Sequence, residues 1–215
     1  MYDMFMEEIM IGYYNYTVIL TYLGLASGIM GMVSAIENRP VLALGFLMLA
    51  GFFDMFDGMV ARTKKRTTSE KKFGIELDSL SDIVCFGVLP AIIGYTIGLR
   101  KWYYVIVLIL YVLAALIRLA YFNVVEDERQ ANTTEVRKSY EGLPVTTVAL
   151  IIPLLYPLIS YFKSYMALAY ALILLIIGFL FLSKIKVVKF KIRGMIVLIV
   201  VGILELLLLI FTRVL

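Results

Sequence analysis

The chain has 215 residues, of which 62% are hydrophobic, and its mean hydropathy is +0.95. Soluble domains are usually about 45–50% apolar, so this composition excludes an ordinary soluble globular protein and predicts an integral membrane protein. The sequence contains no histidine and a single cysteine, Cys85. This excludes a histidine base, a histidine zinc site and an intrachain disulfide. Any catalysis must therefore use carboxylates, lysine, tyrosine or a metal ion bound by oxygen atoms.

Hydrophobic segments along the chain predict a bundle of membrane-spanning helices, each about 20 residues long. The six predicted spans cover residues 16–36, 41–61, 74–98, 102–123, 143–162 and 165–182. Residues 1–15 mix apolar and acidic side chains and predict a short helix at the membrane interface. After a core domain of residues 16–193, the run 194–215 predicts an additional C-terminal helix, although Glu205 lies within it. The expected fold is an all-α integral membrane protein.

Basic residues are concentrated in alternate loops. Lysine and arginine number six in residues 62–73, three in 124–142 and five in 183–193, which is fourteen in all, against five in the segments on the opposite side. The positive-inside rule therefore predicts the N-terminus and these three loops in the cytoplasm. The basic residues of 62–73 that follow its first arginine are interpreted as membrane anchors. A nucleic-acid-binding face is not expected, because the chain has almost no soluble body.

Four aspartates stand in two pairs on either side of the loop 62–73. Asp54 and Asp57 are three residues apart, and Asp78 and Asp82 are four apart, so each pair lies on one face of a helix. The two helices share a short loop and are expected to be antiparallel neighbours, which brings the four carboxylates together. Converging carboxylates need a compensating charge. Oxygen ligands suit Mg²⁺, Mn²⁺ or Ca²⁺, and two such ions about 3.5–4 Å apart are typical of displacement at phosphorus.

Small and basic residues accompany the aspartates. Gly58 and Ala61 follow the first pair and leave room for a ligand beside the helix, and Gly74 stands four residues before the second pair. Arg62 offers a planar fork that suits phosphate oxygens. Each has an ordinary alternative role, because small residues often pack helices together and Arg62 could anchor the membrane surface. Solvated helix ends do not readily explain the four aspartates as a group.

These residues together form a recognisable pattern, D-x2-D-G-x2-A-R … G-x3-D-x3-D, which resembles the signature of the CDP-alcohol phosphatidyltransferases. The gap between Arg62 and Gly74 is longer here than the family usually has. Further segments resemble the bacterial-type and archaeal phosphatidylserine synthases of this family. These segments are LDSLSDIVCFGVLPA (77–91), IRLAYFNV (117–124), EGLPV (141–145) and FLSKIKVVKF (181–190).

The resemblance implies a core of six transmembrane helices and a metal-dependent reaction. A phosphatidyl group would pass from a CDP-lipid, either CDP-diacylglycerol or an archaeal CDP-ether lipid, to L-serine, with release of CMP. The resemblance implies that Asp54, Asp57 and Asp78 hold two Mg²⁺ or Mn²⁺ ions, with Ca²⁺ as another candidate, and that Asp82 is the general base or a further ligand. The implied CDP-lipid-binding residues are Asp57, Gly58, Ala61, Arg62 and Gly74. It also implies a homodimer in the cell membrane, and the loop charges put its active site on the cytoplasmic side.

The pocket for serine has one leading candidate, Arg118, which is the only basic residue within the predicted spans away from their ends. An arginine inside the membrane predicts a functional role, here a contact with the serine carboxylate or a lipid phosphate. The alternative is that Arg118 reaches the cytoplasmic edge and pairs with a structural acid. Weaker candidates for the same pocket are Asn123, Arg137, Lys138, Lys184 and Lys186.

Two other functions remain open from the sequence. One keeps the chemistry and replaces serine with glycerol phosphate or inositol phosphate as the acceptor. The other is a cation transporter that uses the aspartates as a transit site. Transport leaves Gly58, Ala61 and Arg62 unexplained, and carboxylates gathered at one face of the membrane do not form a path across it.

Overall fold

The computed structural model describes residues 11–132, 139–161, 163–188 and 192–214, and this part of the chain is almost entirely helical. Its α-helices are α1 (Ile19–Ile36), α2 (Pro40–Ala61), α3 (Thr68–Asp82), α4 (Leu89–Ile97), α5 (Trp102–Asn132), α6 (Val148–Tyr161), α7 (Met166–Leu182) and α8 (Ile192–Val214). Short 3₁₀ turns cover Tyr16–Val18, Val145–Thr147 and Lys163–Tyr165, and a π-helical segment, Ile83–Val88, joins α3 to α4.

Several of these helices have the dimensions of membrane spans. Within the described part of the chain, four helical segments are long and apolar enough to cross a membrane, and they are Tyr16–Ile36, Pro40–Ala61, Thr68–Ile97 and Trp102–Arg129. Three shorter apolar helices cover Val145–Tyr161, Met166–Leu182 and Val197–Phe211. Each hydrophobic segment predicted from the sequence thus corresponds to a helix. The prediction of an all-α integral membrane protein is confirmed.

The boundaries of two helices differ from the predicted ones. Helix α3 begins at Thr68 rather than at residue 74, because the backbone N–H of Thr67 donates to Glu70 at 2.6 Å and the N–H of Glu70 donates to the Thr67 hydroxyl at 3.2 Å. This capping box fixes the helix start, so the loop between α2 and α3 covers only residues 62–67. Helix α5 continues past the predicted end at residue 123, and an ion pair of 2.6 Å between Arg129 and Glu126 supports the extension.

A small antiparallel ribbon also departs from the predicted pattern. Strand β1 (Ser139–Glu141) pairs with strand β2 (Lys186–Val188), although both lie in segments that were predicted as polar loops. Gly142 follows β1 with a φ of +77°, and a Cβ there would lie 2.7 Å from the Phe181 carbonyl oxygen. Only glycine suits this position. The ribbon joins the second and third of the three basic loops, as expected if both lie on one side of the membrane.

Residues 11–16 pack against the α2–α3 loop and the start of α3, and most of the predicted interfacial helix lies outside the described residues. Residues 11–15 are not helical, and residues 1–10 lie outside the described part of the chain. Tyr13 packs edge-on against Phe73 with ring centroids 5.5 Å apart, and the Tyr16 hydroxyl lies 3.0 Å from that of Thr63. These contacts place the start of the described chain on the same side as the loop.

Side-chain hydrogen bonds hold the irregular segment between α3 and α4. Pro90 has no N–H to donate to the carbonyl of Phe86, four residues earlier, and the Tyr111 hydroxyl of α5 donates to that carbonyl at 2.6 Å. The Tyr170 hydroxyl of α7 donates to the Pro90 carbonyl at 2.9 Å. The π-helical segment that follows Asp82 is therefore tied to α5, and the start of α4 is tied to α7.

Candidate metal and phosphate site

The four aspartates of α2 and α3 lie together. Asp54, Asp78 and Asp82 each offer a carboxylate oxygen, and these three atoms lie within 4.8 Å of one another. The carboxyl groups of Asp57 and Asp78 are within hydrogen-bonding reach of each other, and Asp57 accepts a hydrogen bond of 3.3 Å from the Thr21 hydroxyl. The two sequence pairs thus form one group, with Asp57 at the side that faces α1.

The donor set of this group fits a hard divalent cation. All of its candidate ligand atoms are carboxylate oxygens, which suit Mg²⁺, Mn²⁺ or Ca²⁺ rather than softer metals. Asp57 and Asp82 are buried, and Asp54 and Asp78 are half-buried. Carboxylates this close in a partly dehydrated pocket repel one another unless a proton or a cation lies between them. The site could therefore hold a divalent metal ion.

A hydroxyl and a thiol group beside the aspartates bind the backbone of α1. Ser81 donates a hydrogen bond of 3.5 Å to the Thr21 carbonyl, and Cys85 donates one of 3.4 Å to the Gly24 carbonyl. Both contacts hold α1 against α3 and the segment after it, and Gly28 permits this approach because a Cβ there would lie 2.6 Å from the Cys85 sulfur. No role for Ser81 was predicted from the sequence. Its signal is its place between the two aspartates of α3.

The predicted CDP-lipid-binding residues of α2 lie at its C-terminal end, where the helix surface is exposed. Gly58 is exposed, and a Cβ there would meet no atom within 4 Å, so it does not pack against a neighbouring helix in the described structure. Ala61 ends α2, and Arg62 follows as its exposed C-terminal cap. Gly74 differs, because a Cβ there would lie 3.0 Å from Nη1 of Arg66. The space beside Gly74 is thus occupied by an arginine that was predicted to be a membrane anchor.

Two of the predicted serine-pocket residues belong to α5 and lie on its side that faces the acidic group. Arg118 is only 9% exposed, its guanidinium carbon lies 5.1 Å from the centroid of the Phe122 ring, and its charge acts on Asp54. Asn123 accepts a hydrogen bond of 3.1 Å from Ser79, which is next to Asp78 in the chain.

The remaining serine-pocket candidates belong to the loops that the ribbon joins. Lys184 and Lys186 are exposed, and no described contact connects them with the aspartates. Arg137 and Lys138 lie outside the described residues. The structure thus brings Arg118 and Asn123 of α5 towards the acidic group. It leaves Lys184 and Lys186 on the surface.

The chain also matches a known protein family. The sequence pattern of the CDP-alcohol phosphatidyltransferase family matches residues 14–182, which are most of the chain. The chain belongs to the CDP-alcohol phosphatidyltransferase family. The match contains the four aspartates and α1 to α7, and it ends where α7 ends, so α8 lies beyond it.

Individual members of the family are also similar to this chain. A CDP-diacylglycerol–serine O-phosphatidyltransferase of Saccharomyces cerevisiae is 43% identical over 113 residues, which are 52% of this chain and 40% of the relative. One of Mycobacterium tuberculosis is 34% identical over 110 residues, which are 51% of this chain and 37% of the relative. The archaetidylserine synthase of Methanothermobacter thermautotrophicus is 32% identical over 170 residues, covering 78% of this chain and 67% of the relative. The chain thus spans only about two fifths of the first two relatives.

Proposed function

We propose that this protein transfers a phosphatidyl group from a CDP-lipid to L-serine and releases CMP. The observation that carries the proposal is the convergence of Asp54, Asp78 and Asp82 within 4.8 Å, inside the region that the family match covers. The choice of serine is supported by the names of the similar proteins, which are serine phosphatidyltransferases and an archaetidylserine synthase. The lipid is either a diacylglycerol or an ether lipid, because both carry the same CDP head group.

Asp54, Asp57 and Asp78 are proposed to hold the divalent ions, with Asp82 as a further ligand or as the base. Mg²⁺ or Mn²⁺, or else Ca²⁺, would supply positive charge that neutralises the diphosphate and the departing phosphate. The Thr21 hydroxyl orients Asp57 through its hydrogen bond of 3.3 Å. Supporting contacts of this kind hold carboxylate ligands in one orientation.

The proton of the serine hydroxyl needs an acceptor, because a neutral alcohol is a poor nucleophile. We assign this role to Asp82, which is buried and directly precedes the segment that Tyr111 ties to α5. As Asp82 takes the proton, the serine oxygen bonds to the phosphorus that carries the lipid. The bond from this phosphorus to the CMP oxygen breaks, and CMP leaves with the electron pair.

The two substrates are proposed to enter from different sides of the acidic group. The CDP-lipid would lie along the open face at Gly58, with Ala61 beside it and Arg62 on a phosphate. Serine would lie towards α5, where Arg118 binds its carboxylate. Arg118 is buried, lies against the Phe122 ring and is within electrostatic range of Asp54, which suits recognition of a small anion in a low-dielectric site.

The active site is proposed to face the cytoplasm, and the protein is proposed to act as a homodimer. The orientation is supported by the fourteen basic residues in the loops of one side against five on the other. The dimer is supported by family resemblance alone. Helix α8 is proposed to be an additional membrane helix beyond the family core.

The function can be tested with purified protein in detergent. CDP-diacylglycerol or its ether-lipid counterpart is supplied with Mg²⁺ or Mn²⁺ and with serine, glycerol phosphate or inositol phosphate, and the release of CMP is measured. Release that requires serine is the expected result. Release with glycerol phosphate or inositol phosphate alone would reassign the acceptor. No release with any alcohol, together with passage of the metal ion into liposomes that contain the protein, would favour transport instead.

A further inference from the structure

The loop between α2 and α3, residues 62–67, places the side chain of Arg66 over α3, one turn before Asp78. Nη1 of Arg66 lies 3.0 Å from the position of a Cβ on Gly74. Its Nε is buried and has no hydrogen-bond partner in the described part of the chain. Leaving a buried donor without an acceptor carries a desolvation penalty, and the penalty is larger for a charged group. Arg66 is therefore arranged to meet an acceptor that the described part of the chain does not supply.

Hydrogen bonds and an ion pair on both sides of Arg66 define the conformation of the loop. Thr63 donates a hydrogen bond of 2.8 Å to the Val60 carbonyl, and Lys64 lies 3.5 Å from the Glu70 carboxylate. Thr67 forms the capping box with Glu70, which also accepts a hydrogen bond of 3.3 Å from Asn15. These residues fix the backbone before and after Arg66. The position of its side chain over Gly74 thus follows from the loop's structure.

The direction of Arg66 points to a phosphate ligand. Gly74 stands four residues before Asp78, so it lies one turn away on the same face of α3. Arg66 therefore approaches the acidic group from the loop, on the side where Arg62 ends α2, whereas Arg118 approaches from α5. A guanidinium can donate two parallel hydrogen bonds to phosphate oxygens. Serine carries a single carboxylate, for which Arg118 is already placed.

We propose that Arg66 is a further substrate-binding residue, and that it donates to the diphosphate of the CDP-lipid. This inference rests on the proposed function and deepens it. It gives the basic loop a role in chemistry in addition to membrane attachment. It also changes the role of Gly74, whose missing side chain makes room for Arg66.

Binding of CDP-diacylglycerol tests this role without any turnover. Affinity is measured by isothermal titration calorimetry in detergent with Mg²⁺ and without serine, for wild type, Arg66→Gln and Lys65→Gln. Lys65 is the exposed neighbour of Arg66 in the same loop and serves as the matched control. Loss of a charge-assisted hydrogen bond should weaken binding by about ten- to a hundredfold in Arg66→Gln. Lys65→Gln should stay within about twofold of wild type, and Arg66→Lys should fall between wild type and Arg66→Gln.

Wild-type affinity in Arg66→Gln would overturn the proposal, and so would a rise in the KM for serine with an unchanged KM for the CDP-lipid. These results are distinct from failure of the proposed function, which appears as no CMP release in the wild type. Unfolding midpoints of all variants are compared with wild type, so that a folding defect is recognised. Weaker binding in a variant that unfolds like wild type supports the proposal.

A double-mutant cycle tests whether Gly74 acts through Arg66. Gly74→Ala adds a Cβ at 3.0 Å from Nη1 and should displace the guanidinium. In the wild-type background, Gly74→Ala is expected to weaken CDP-diacylglycerol binding, and in the Arg66→Gln background most of this effect should disappear. Equal losses in the two backgrounds would mean that the ligand contacts Gly74 directly, which would contradict the position proposed for Arg66.

Discussion

Among the described residues, buried carboxyl groups occur in two regions whose surroundings differ. In the first, Asp54, Asp78 and Asp82 meet within 4.8 Å, and Asp57 joins them with a hydroxyl partner from α1. In the second, Glu205 of α8 is only 4% exposed, and neither of its carboxyl oxygens has a hydrogen-bond partner among the described residues. Burial of a carboxyl group is common to both regions. Convergence with other ligands belongs to the first alone.

The neighbours of Glu205 explain why burial alone does not make a site. Helix α8 packs against α2 and α6. One turn before Glu205, a Cβ on Gly202 would lie 3.5 Å from Leu150 and 3.9 Å from Met48, and both of these side chains are apolar. A lone carboxyl group in such surroundings destabilises the fold and offers only one ligand. The aspartates also destabilise the fold, but together they can hold a cation. The comparison therefore predicts that substitution in the first region lowers activity, whereas substitution of Glu205 changes stability and leaves activity unchanged.

Asp82→Asn should have the largest effect, because it removes the proposed base. We expect kcat for CMP release to fall by about 10²–10⁴-fold while binding of the CDP-lipid is largely retained. Removing one carboxylate from a crowded group should leave the unfolding midpoint unchanged or raise it. Glu205→Gln is the matched control and should keep the wild-type kcat. Turnover near wild type in Asp82→Asn would show that another group accepts the proton.

Metal removal should have the second-largest effect, and it should affect only the region of the aspartates. A chelator is expected to stop CMP release, and adding Mg²⁺ or Mn²⁺ should restore it. A metal ion at a hundredfold excess over its dissociation constant stabilises the folded state by about 2.7 kcal/mol, which a thermal shift assay detects. Glu205→Gln should keep this shift, whereas Asp54→Asn combined with Asp78→Asn should lose it. A shift that survives in the aspartate double variant would place the ion elsewhere.

Arg118→Ala tests the side of the site that faces α5, with a smaller expected effect. If Arg118 binds the serine carboxylate, the KM for serine should rise about tenfold and more than the KM for the CDP-lipid. Arg129, on the same helix but paired with Glu126, is the matched control, and Arg129→Ala should leave both constants unchanged. An unchanged KM for serine in Arg118→Ala would return this residue to a structural role.

The core of the site could be predicted from sequence because it depends on helical spacing. Residues three or four apart share one face of a helix whatever the rest of the fold does. Asp54 with Asp57, and Asp78 with Asp82, therefore needed only the short connection between their helices to be brought together. The long hydrophobic runs likewise predicted each membrane helix, since the hydrocarbon thickness sets their length.

The features that were missed depend on contacts between distant segments. The capping box of Thr67 and Glu70 was visible in the sequence, yet the charges after it favoured a loop, so the start of α3 was placed too late. The ribbon requires residues 139–141 and 186–188 to meet, which neither segment predicts alone. Arg66 belonged to a run of basic residues that fits membrane attachment equally well. Only its position over Gly74 separates it from its neighbours.

Glu205→Leu should have the smallest effect and should stabilise the fold, because it removes a polar group that has no partner among the described residues from an apolar contact. We expect the free energy of unfolding to rise by about 1 kcal/mol, the lower end of the penalty for an unsatisfied buried group, since leucine fits the space imperfectly. In a protein of this size, this corresponds to about 2–4 °C in the midpoint measured by thermal unfolding in detergent. The matched control, Leu204→Ala, changes the exposed neighbour on α8 and should shift the midpoint less. A lower midpoint in Glu205→Leu would mean that Glu205 has a stabilising partner in the membrane. The two regions would then differ only in what their carboxyl groups bind.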